Sequence, residues 1–273
     1  MSPKSFYDQV LAGIDGYVAV NDAEEEVCDL YSVYYSCDIA SRLDLVDASK
    51  TELEVEIEGS GRRALNLTIA QNPHINSELG QTGAVLWNSS VVMSRFFANG
   101  GSGHWDMQDL TVVELGSGCG LVGLVLHQLG ARRVVLTDQL RMQKLLNRNI
   151  EMNRLKPRGK PAIVGELLAT EYRWGEGAPE DPRVLSTPVD VIVASDCVYH
   201  ESVAPLLVQT LVAVCESRRD DGQKTVAVVG QELRSDLVHQ VFLTLLIEHF
   251  NVYRVPVNPE VDGVYVLYVM WLK

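Results

Sequence analysis

Two carboxylates and a tyrosine carry the chemistry this sequence offers. Asp138 closes the apolar run RRVVLTD, and Asp196 and Tyr199 follow the run VDVIVAS in the segment Ser195-Asp196-Cys197-Val198-Tyr199. Ahead of Asp138, the stretch VVELGSGCGLVG sets Glu114, Gly116, Ser117, Gly118 and Gly120 at the end of a third apolar run. Glycines at such a junction admit positive φ and leave no Cβ between the backbone and a ligand. The helix expected next presents N–H groups without intrahelical partners, and its dipole is positive at that end. A carboxylate about twenty residues on, at the end of the adjoining strand, can accept hydrogen bonds from both hydroxyls of a ribose. The pair describes a pocket for a nucleoside-bearing cofactor. Open α/β sheets bind ligands at the carboxyl ends of their strands, so Asp196 and Tyr199 fall near the cofactor's reactive end.

Spacing narrows the cofactor. The dinucleotide fingerprint G-x-G-x-x-G needs a third glycine where Leu121 stands, and no G-x-x-x-x-G-K-[ST] occurs, so a P-loop is excluded. The five cysteines, Cys28, Cys37, Cys119, Cys197 and Cys215, are odd in number and contain no C-x-x-C pair. Free thiols in a reducing, cytoplasmic compartment are expected, without a zinc site. Neither Cys119 nor Cys197 has a histidine at a telling spacing, and no nucleophilic role is expected of either.

The element pattern supplies the frame for these residues. From Leu110 onward, apolar runs alternate with helical periodicity. TVVEL, RRVVLTD, AIVGEL, VDVIVAS and TVAVVGQ read as strands, and helices are expected over Leu121–Leu129, Leu140–Asn153, Val203–Cys215 and Leu237–Phe250. Fully apolar strands alternating with helices predict a mostly parallel sheet covered on both faces. NVYRVPV and VYVLYVMWL have no helix between them and are expected to pair antiparallel at one edge. Upstream, TELEVEI and ALNLTIAQ alternate with period two around a Gly59-Ser60-Gly61 turn and predict a β-hairpin with one buried face. That hairpin could cover a sheet edge or shape a substrate groove. A helix from Asn88 to Ala98 follows, with Asn88 or Ser89 as its cap and Gly100-Gly101 as its end. The resulting division is a poorly patterned extension over 1–50 with one or two short helices, a hairpin and helix over 51–100, and a core over 101–273.

With 273 residues at 47% hydrophobic, the chain can bury one large α/β core. Its net charge of −13 repels phosphate backbones, so no nucleic-acid partner is expected, whereas a basic protein would suit it. Arg154, Lys156, Arg158 and Lys160 form either a local basic patch or a solvated loop. No basic segment followed by a long apolar one opens the chain, and no run of about eighteen apolar residues predicts a membrane span.

The motif Glu114-x-Gly116-x-Gly118-x-Gly120 resembles the first motif of the seven-β-strand S-adenosylmethionine-dependent methyltransferases, in which this loop wraps the methionine part of the cofactor. Asp196-x-x-Tyr199 resembles the D-x-x-Y motif of that family's protein-lysine methyltransferase branch. Gly83-Ala-Val-Leu-Trp87 is similar to the branch's G-x-x-x-W segment, and Trp174-Gly175 to its W-G element beside the adenine. The resemblance covers roughly residues 65–273. Asn88 departs from it, since an acidic residue or proline often follows the tryptophan. Methylases of nucleic-acid bases carry a Pro-Pro-aromatic motif where Asp196 stands, and this chain does not.

The resemblance implies a seven-stranded Rossmann-like α/β sheet, mostly parallel with an antiparallel edge, plus an N-terminal hairpin and helical extension. It implies S-adenosyl-L-methionine held by Trp87, Glu114, Gly116, Ser117, Gly118, Gly120, Asp138, Trp174 and Ser195, with Asp196 and Tyr199 catalytic. The partner would be a protein bearing the target lysine, and the enzyme a monomer. Among targets, a translation elongation factor of the 1A type comes first, then valosin-containing protein or an Hsp70-type chaperone. A small-molecule methyltransferase and a nicotinamide-dependent oxidoreductase are the rival functions, and a catalytically silent module that keeps the cofactor fold is a third. Plainer readings also stand: Asp196 as a cap of the following helix, and Tyr199, Trp87 and Trp174 as packing residues.

Overall fold

The computed structural model describes residues 5–36, 45–59, 64–73, 84–101, 105–154, 165–218, 222–257 and 263–273. Its elements begin with α1 (Phe6–Ala12), β1 (Val18–Val20), α2 (Ala23–Ser36), β2 (Glu52–Ile57), β3 (Leu65–Ala70) and α3 (Asn88–Ala98). There follow β4 (Thr111–Leu115), α4 (Leu121–Gln128), β5 (Arg133–Asp138), α5 (Gln143–Met152), β6 (Glu166–Glu171) and β7 (Val191–Ser195). The chain closes with α6 (Ala204–Glu216), β8 (Val226–Glu232), α7 (Asp236–His249), β9 (Phe250–Val255) and β10 (Tyr265–Leu272).

The strands β1-β9-β10-β8-β7-β4-β5-β6 form one sheet in that order. β8, β7, β4, β5 and β6 pair in parallel, and β10 is antiparallel to both β8 and β9. This is the expected seven-stranded sheet, extended by β1, which pairs antiparallel with β9. Sequence pattern does not reveal β1, because only Val20 of its three residues is buried and no alternation can register. β10 lies between β8 and β9 rather than at the rim. β6 is described from Glu166, and Ala162, Ile163 and Val164 of the run AIVGEL lie outside the described residues. There Gly165 approaches β5 so closely that a Cβ would lie 2.2 Å from the Ala131 carbonyl oxygen.

Alternation sorts side chains between the two faces. In β4, Val112 joins the core formed with α1, the hairpin, α3, α4 and α5. Val113 and Leu115 join the opposite core with α2, α6 and α7. Glu26, inside the acidic cluster of α2, is buried there. It accepts the Tyr268 hydroxyl proton at 3.2 Å and ion-pairs with Arg254 at 3.0 Å.

The β2–β3 hairpin forms its own two-stranded sheet and packs on helices. The Asn149 amide of α5 accepts the Ala70 N–H at 2.8 Å and donates to the Ala70 carbonyl at 3.0 Å. One turn on, Asn153 does the same with Thr68, at 2.9 and 2.8 Å. Asn149 also donates to the Cys119 carbonyl at 2.8 Å, which ties the hairpin to the glycine loop. Trp87, not Asn88, occupies the N-cap of α3, without a side-chain cap bond. The Asn88 side chain instead accepts the Leu45 N–H at 3.1 Å. Cys37, Ser60, Gly61, Gly83, Lys156, Arg158 and Lys160 lie outside the described residues.

Candidate active site

The loop after β4 turns through glycines at φ 64° (Gly116), 54° (Gly118) and 81° (Gly120). A Cβ on Gly116 would stand 2.8 Å from Cys197 Sγ and 2.9 Å from Trp174 Cζ2, so no side chain fits there. Asp138 ends β5 beside this loop. Its Oδ2 accepts the Gly118 N–H at 2.8 Å and its Oδ1 accepts the Gln139 N–H at 2.7 Å. Each oxygen keeps a lone pair for a further donor. Burial raises the pKa of this carboxyl, against the lowering effect of the two N–H groups and Arg141.

Glu114 is buried on β4, and its Oε2 accepts the Gly123 N–H at 3.1 Å. Burial pushes its carboxyl up to about 8, so it is protonated at neutral pH. Gly123 is required here, because a Cβ would fall 2.1 Å from Leu136 Cδ2 and 2.7 Å from Glu114 Oε2. Glu114 therefore braces the loop from behind, and Gly120 serves as N-cap of α4.

At the end of β7, Asp196 adopts the left-handed conformation at φ 57°. For a non-glycine residue this costs on the order of 1–3 kcal/mol and persists only where the surroundings impose it. Its N–H donates to the Gly230 carbonyl at 2.8 Å. Arg234 grips its carboxylate with both fork nitrogens, Nη1 to Oδ1 at 2.7 Å and Nη2 to Oδ2 at 2.6 Å. The same Nη2 donates to Glu232 Oε2 at 2.7 Å, and the guanidinium carbon lies 5.3 Å from the Trp87 ring centroid. Asp196 is not a helix cap: α6 starts at Ala204 behind Val203, which makes no side-chain cap bond. Tyr199 is 54% exposed. The Cys197 thiol donates to the Leu115 carbonyl at 3.3 Å, and burial pushes its pKa well up. Ser195 Oγ donates to Ser89 Oγ of α3 at 3.3 Å, so its hydroxyl as well as its backbone is engaged.

These two ends meet in one cavity of about 720 Å³ at the carboxyl ends of β4, β5 and β7, within the usual size of a cofactor site. Trp87, Gly116, Ser117, Gly118, Asp138, Trp174, Ser195, Asp196 and Tyr199 all stand on its wall; Glu114 and Gly120 do not. Sequence reasoning missed Leu86, Arg141, Glu171 and Leu206, which also line it. It also missed Arg234 behind Asp196. The available signal for Arg234 was the pair of charges Glu232 and Arg234 where the apolar strand β8 ends, on the sheet's ligand-binding side. Among the described residues, no group of three or more acidic, histidine or cysteine side chains could hold a metal.

The residues present fit S-adenosylmethionine. A crevice kept clear at Gly116, an oriented carboxylate for a ribose and two indoles line one space beside a second carboxylate. Fold and site together define a seven-strand, S-adenosylmethionine-dependent methyltransferase. In fold the chain resembles the Thermus thermophilus 16S rRNA N2 G1207 methyltransferase in complex with AdoMet and guanosine. The TM-score is 0.51 at 16% identity, over 84% of this chain and 52% of that one.

A sequence model described as lysine methyltransferase matches residues 66–246. The mouse protein N-lysine methyltransferase METTL21A is 32% identical over 180 residues, 66% of this chain and 73% of its own length. The Saccharomyces cerevisiae protein-lysine N-methyltransferase EFM6 is 38% identical over 112 residues, 37% of this chain and 42% of its own. EEF1A lysine methyltransferase 3 of Xenopus tropicalis is 26% identical over 196 residues, 67% of this chain and 78% of its own. The chain belongs to the lysine methyltransferase family. It is an enzyme, a protein-lysine N-methyltransferase that uses S-adenosylmethionine.

Proposed function

We propose that this enzyme methylates a lysine of a translation elongation factor of the 1A type, with Asp196 and Tyr199 at the point of transfer. Similarity to the Xenopus EEF1A lysine methyltransferase 3 supports the target. The observation that carries the catalytic assignment is that Asp196 and Tyr199 stand on the same cavity wall as Asp138 and Trp174.

S-adenosylmethionine, when bound, supplies an electrophilic methyl group on a sulfonium. Asp138 holds the sugar through the lone pairs its backbone contacts leave open, and Trp87 and Trp174 flank the cofactor. A lysine in water has a pKa near 10.4, so the enzyme must favour its neutral amine. Desolvation in the cavity does this. Asp196 accepts an amine N–H and aims the nitrogen, while the Tyr199 ring attracts cationic groups at the entrance. The bound cofactor would supply its methyl group to the amine lone pair and keep the C–S electron pair on its sulfur. The surplus proton then leaves the methylated ammonium for solvent. The acidic balance of the chain, −13, favours approach of a basic segment.

Incubation of purified elongation factor 1A with the enzyme and isotope-labelled cofactor, followed by peptide mass spectrometry, tests the target. The expected result is label on a lysine. Label on an Hsp70-type chaperone or valosin-containing protein in lysate, with elongation factor 1A unlabelled, overturns the target but keeps the chemistry. Label confined to small molecules or to residues other than lysine overturns both.

A further inference from the structure

We propose that Arg234 is a positioning residue for methyl transfer: it fixes Asp196 and offsets part of its charge, so that the carboxylate aims the lysine amine while holding it less firmly as an ammonium. The proposal deepens the reading of Asp196 given above and rests on it. A carboxylate near an amine favours the protonated form, which has no lone pair for the methyl group. Asp196 therefore serves methyl transfer poorly as an isolated anion. In the structure it is not one. Its side chain is 3% exposed, and both oxygens are taken by the planar fork of Arg234 at 2.7 and 2.6 Å. A bidentate guanidinium pair fixes the carboxylate plane. Oδ1 also accepts the Glu232 N–H at 3.3 Å, so it is Oδ2 that keeps a lone pair directed elsewhere.

Arg234 is itself held on two further sides, by Glu232 at 2.7 Å and by the Trp87 ring at 5.3 Å. Trp87 and Asp196 both line the cavity, so the guanidinium joins two of its walls from behind. The other ionisable groups around Asp196 include Glu232 at the end of β8, Tyr265 of β10 and the Cys197 thiol. The Tyr265 hydroxyl is pushed up to about 12, and it and the thiol are neutral at physiological pH. Among these groups, Arg234 alone supplies a positive charge that offsets Asp196.

Sinefungin tests this without any protein substrate, because it carries a primary amine where the cofactor carries its methylsulfonium. Calorimetry at pH 7.5 would compare its affinity with that of S-adenosylhomocysteine, which has no charge at that position. In Arg234→Gln, S-adenosylhomocysteine should bind within about twofold of wild type. Sinefungin should bind roughly tenfold tighter or more, since a freed carboxylate shifts a neighbouring amine by about one pKa unit or more. Arg234→Lys, which keeps the charge, should restore the wild-type ratio of the two affinities. Adding Asp196→Asn to Arg234→Gln should remove most of the gain, Glu232 being the other carboxylate that Arg234 pairs. Equal shifts for both ligands would mean a merely structural arginine and overturn the proposal. A gain that survives Asp196→Asn largely intact overturns it as well. Arg234→Met keeps the aliphatic stem against Trp87 and carries the same comparison if Arg234→Gln does not fold. Because no lysine acceptor is involved, a wrong target protein leaves this result unaffected.

Discussion

Asp138 and Asp196 end the two strands that flank β4, yet the chain holds them in opposite ways. Asp138 is gripped by main-chain N–H groups of Gly118 and Gln139, which require a backbone path and no particular side chain. Asp196 is gripped by the side chain of Arg234, delivered from beyond β8, while its own backbone is bent into the left-handed region. The first arrangement suits a cofactor whose shape never varies. The second gathers side chains from separate elements at the place where another macromolecule must be met. On the proposed assignment, backbone geometry holds the carboxylate that meets the cofactor, and a side-chain network holds the one at the point of transfer.

The sharpest way to break this contrast is at Asp138. Asp138→Ala should weaken cofactor binding by roughly 10²- to 10⁴-fold, since two hydrogen bonds to a charged acceptor contribute about 1.5–3 kcal/mol each. Calorimetry with S-adenosylhomocysteine measures this, and near-wild-type affinity removes Asp138 from the ribose. Asp196→Ala should do the reverse, binding cofactor normally while methyl transfer falls by about 10²-fold or more through lost positioning. A variant that loses both together would erase the division between the two ends.

Gly116→Ala probes the backbone side alone. The added methyl meets Cys197 and Trp174, so cofactor affinity should drop about tenfold or more, in keeping with the roughly 1–3 kcal/mol of overpacking. Tyr199→Ala should lower transfer up to about tenfold and leave cofactor affinity alone, the scale of one exposed cation–π contact.

Glu114→Gln sharpens the contrast through pH. The folded-state pKa of Glu114, about 8, lies above its ordinary value of 4.5, so its stabilising contribution is complete below 4.5 and is lost as pH rises through 8. Glutamine imitates the protonated acid and does not titrate. The melting temperature of the variant should therefore gain on wild type between pH 4.5 and 8 and hold its lead above, at roughly 1.4 kcal/mol per pH unit at most. A constant difference across that range would show that Glu114 is ionised in the fold.

Much of the cofactor end was legible in the sequence, because its determinants are local. The glycine loop and Asp138 sit at the ends of apolar strands whose alternation with helices fixes their adjacency. Trp174 and Trp87 were readable only through family resemblance, since an isolated tryptophan carries no period. Arg234 had a signal in its place after an apolar strand, but its pairing with Asp196 was not readable. Its 38-residue separation from Asp196 is closed only by the pairing of β7 with β8. The same holds for Glu26, which looks like one more acid in a solvated cluster until the pairing of β1 with β9 and the packing of α2 bring it onto Tyr268 and Arg254. Sequence periodicity reports which face of an element is apolar; it does not report which distant polar group is waiting on that face.

Asn149 of α5 and Asn153 at its C-cap have a consequence for solubility. A strand rim with bare N–H and C=O groups is a template on which a second chain can add itself. At Thr68 and Ala70 that template is already filled, because amides one helical turn apart imitate the ladder of a neighbouring strand. A two-stranded ribbon, marginal on its own in water, is thus finished by a helix at those two positions.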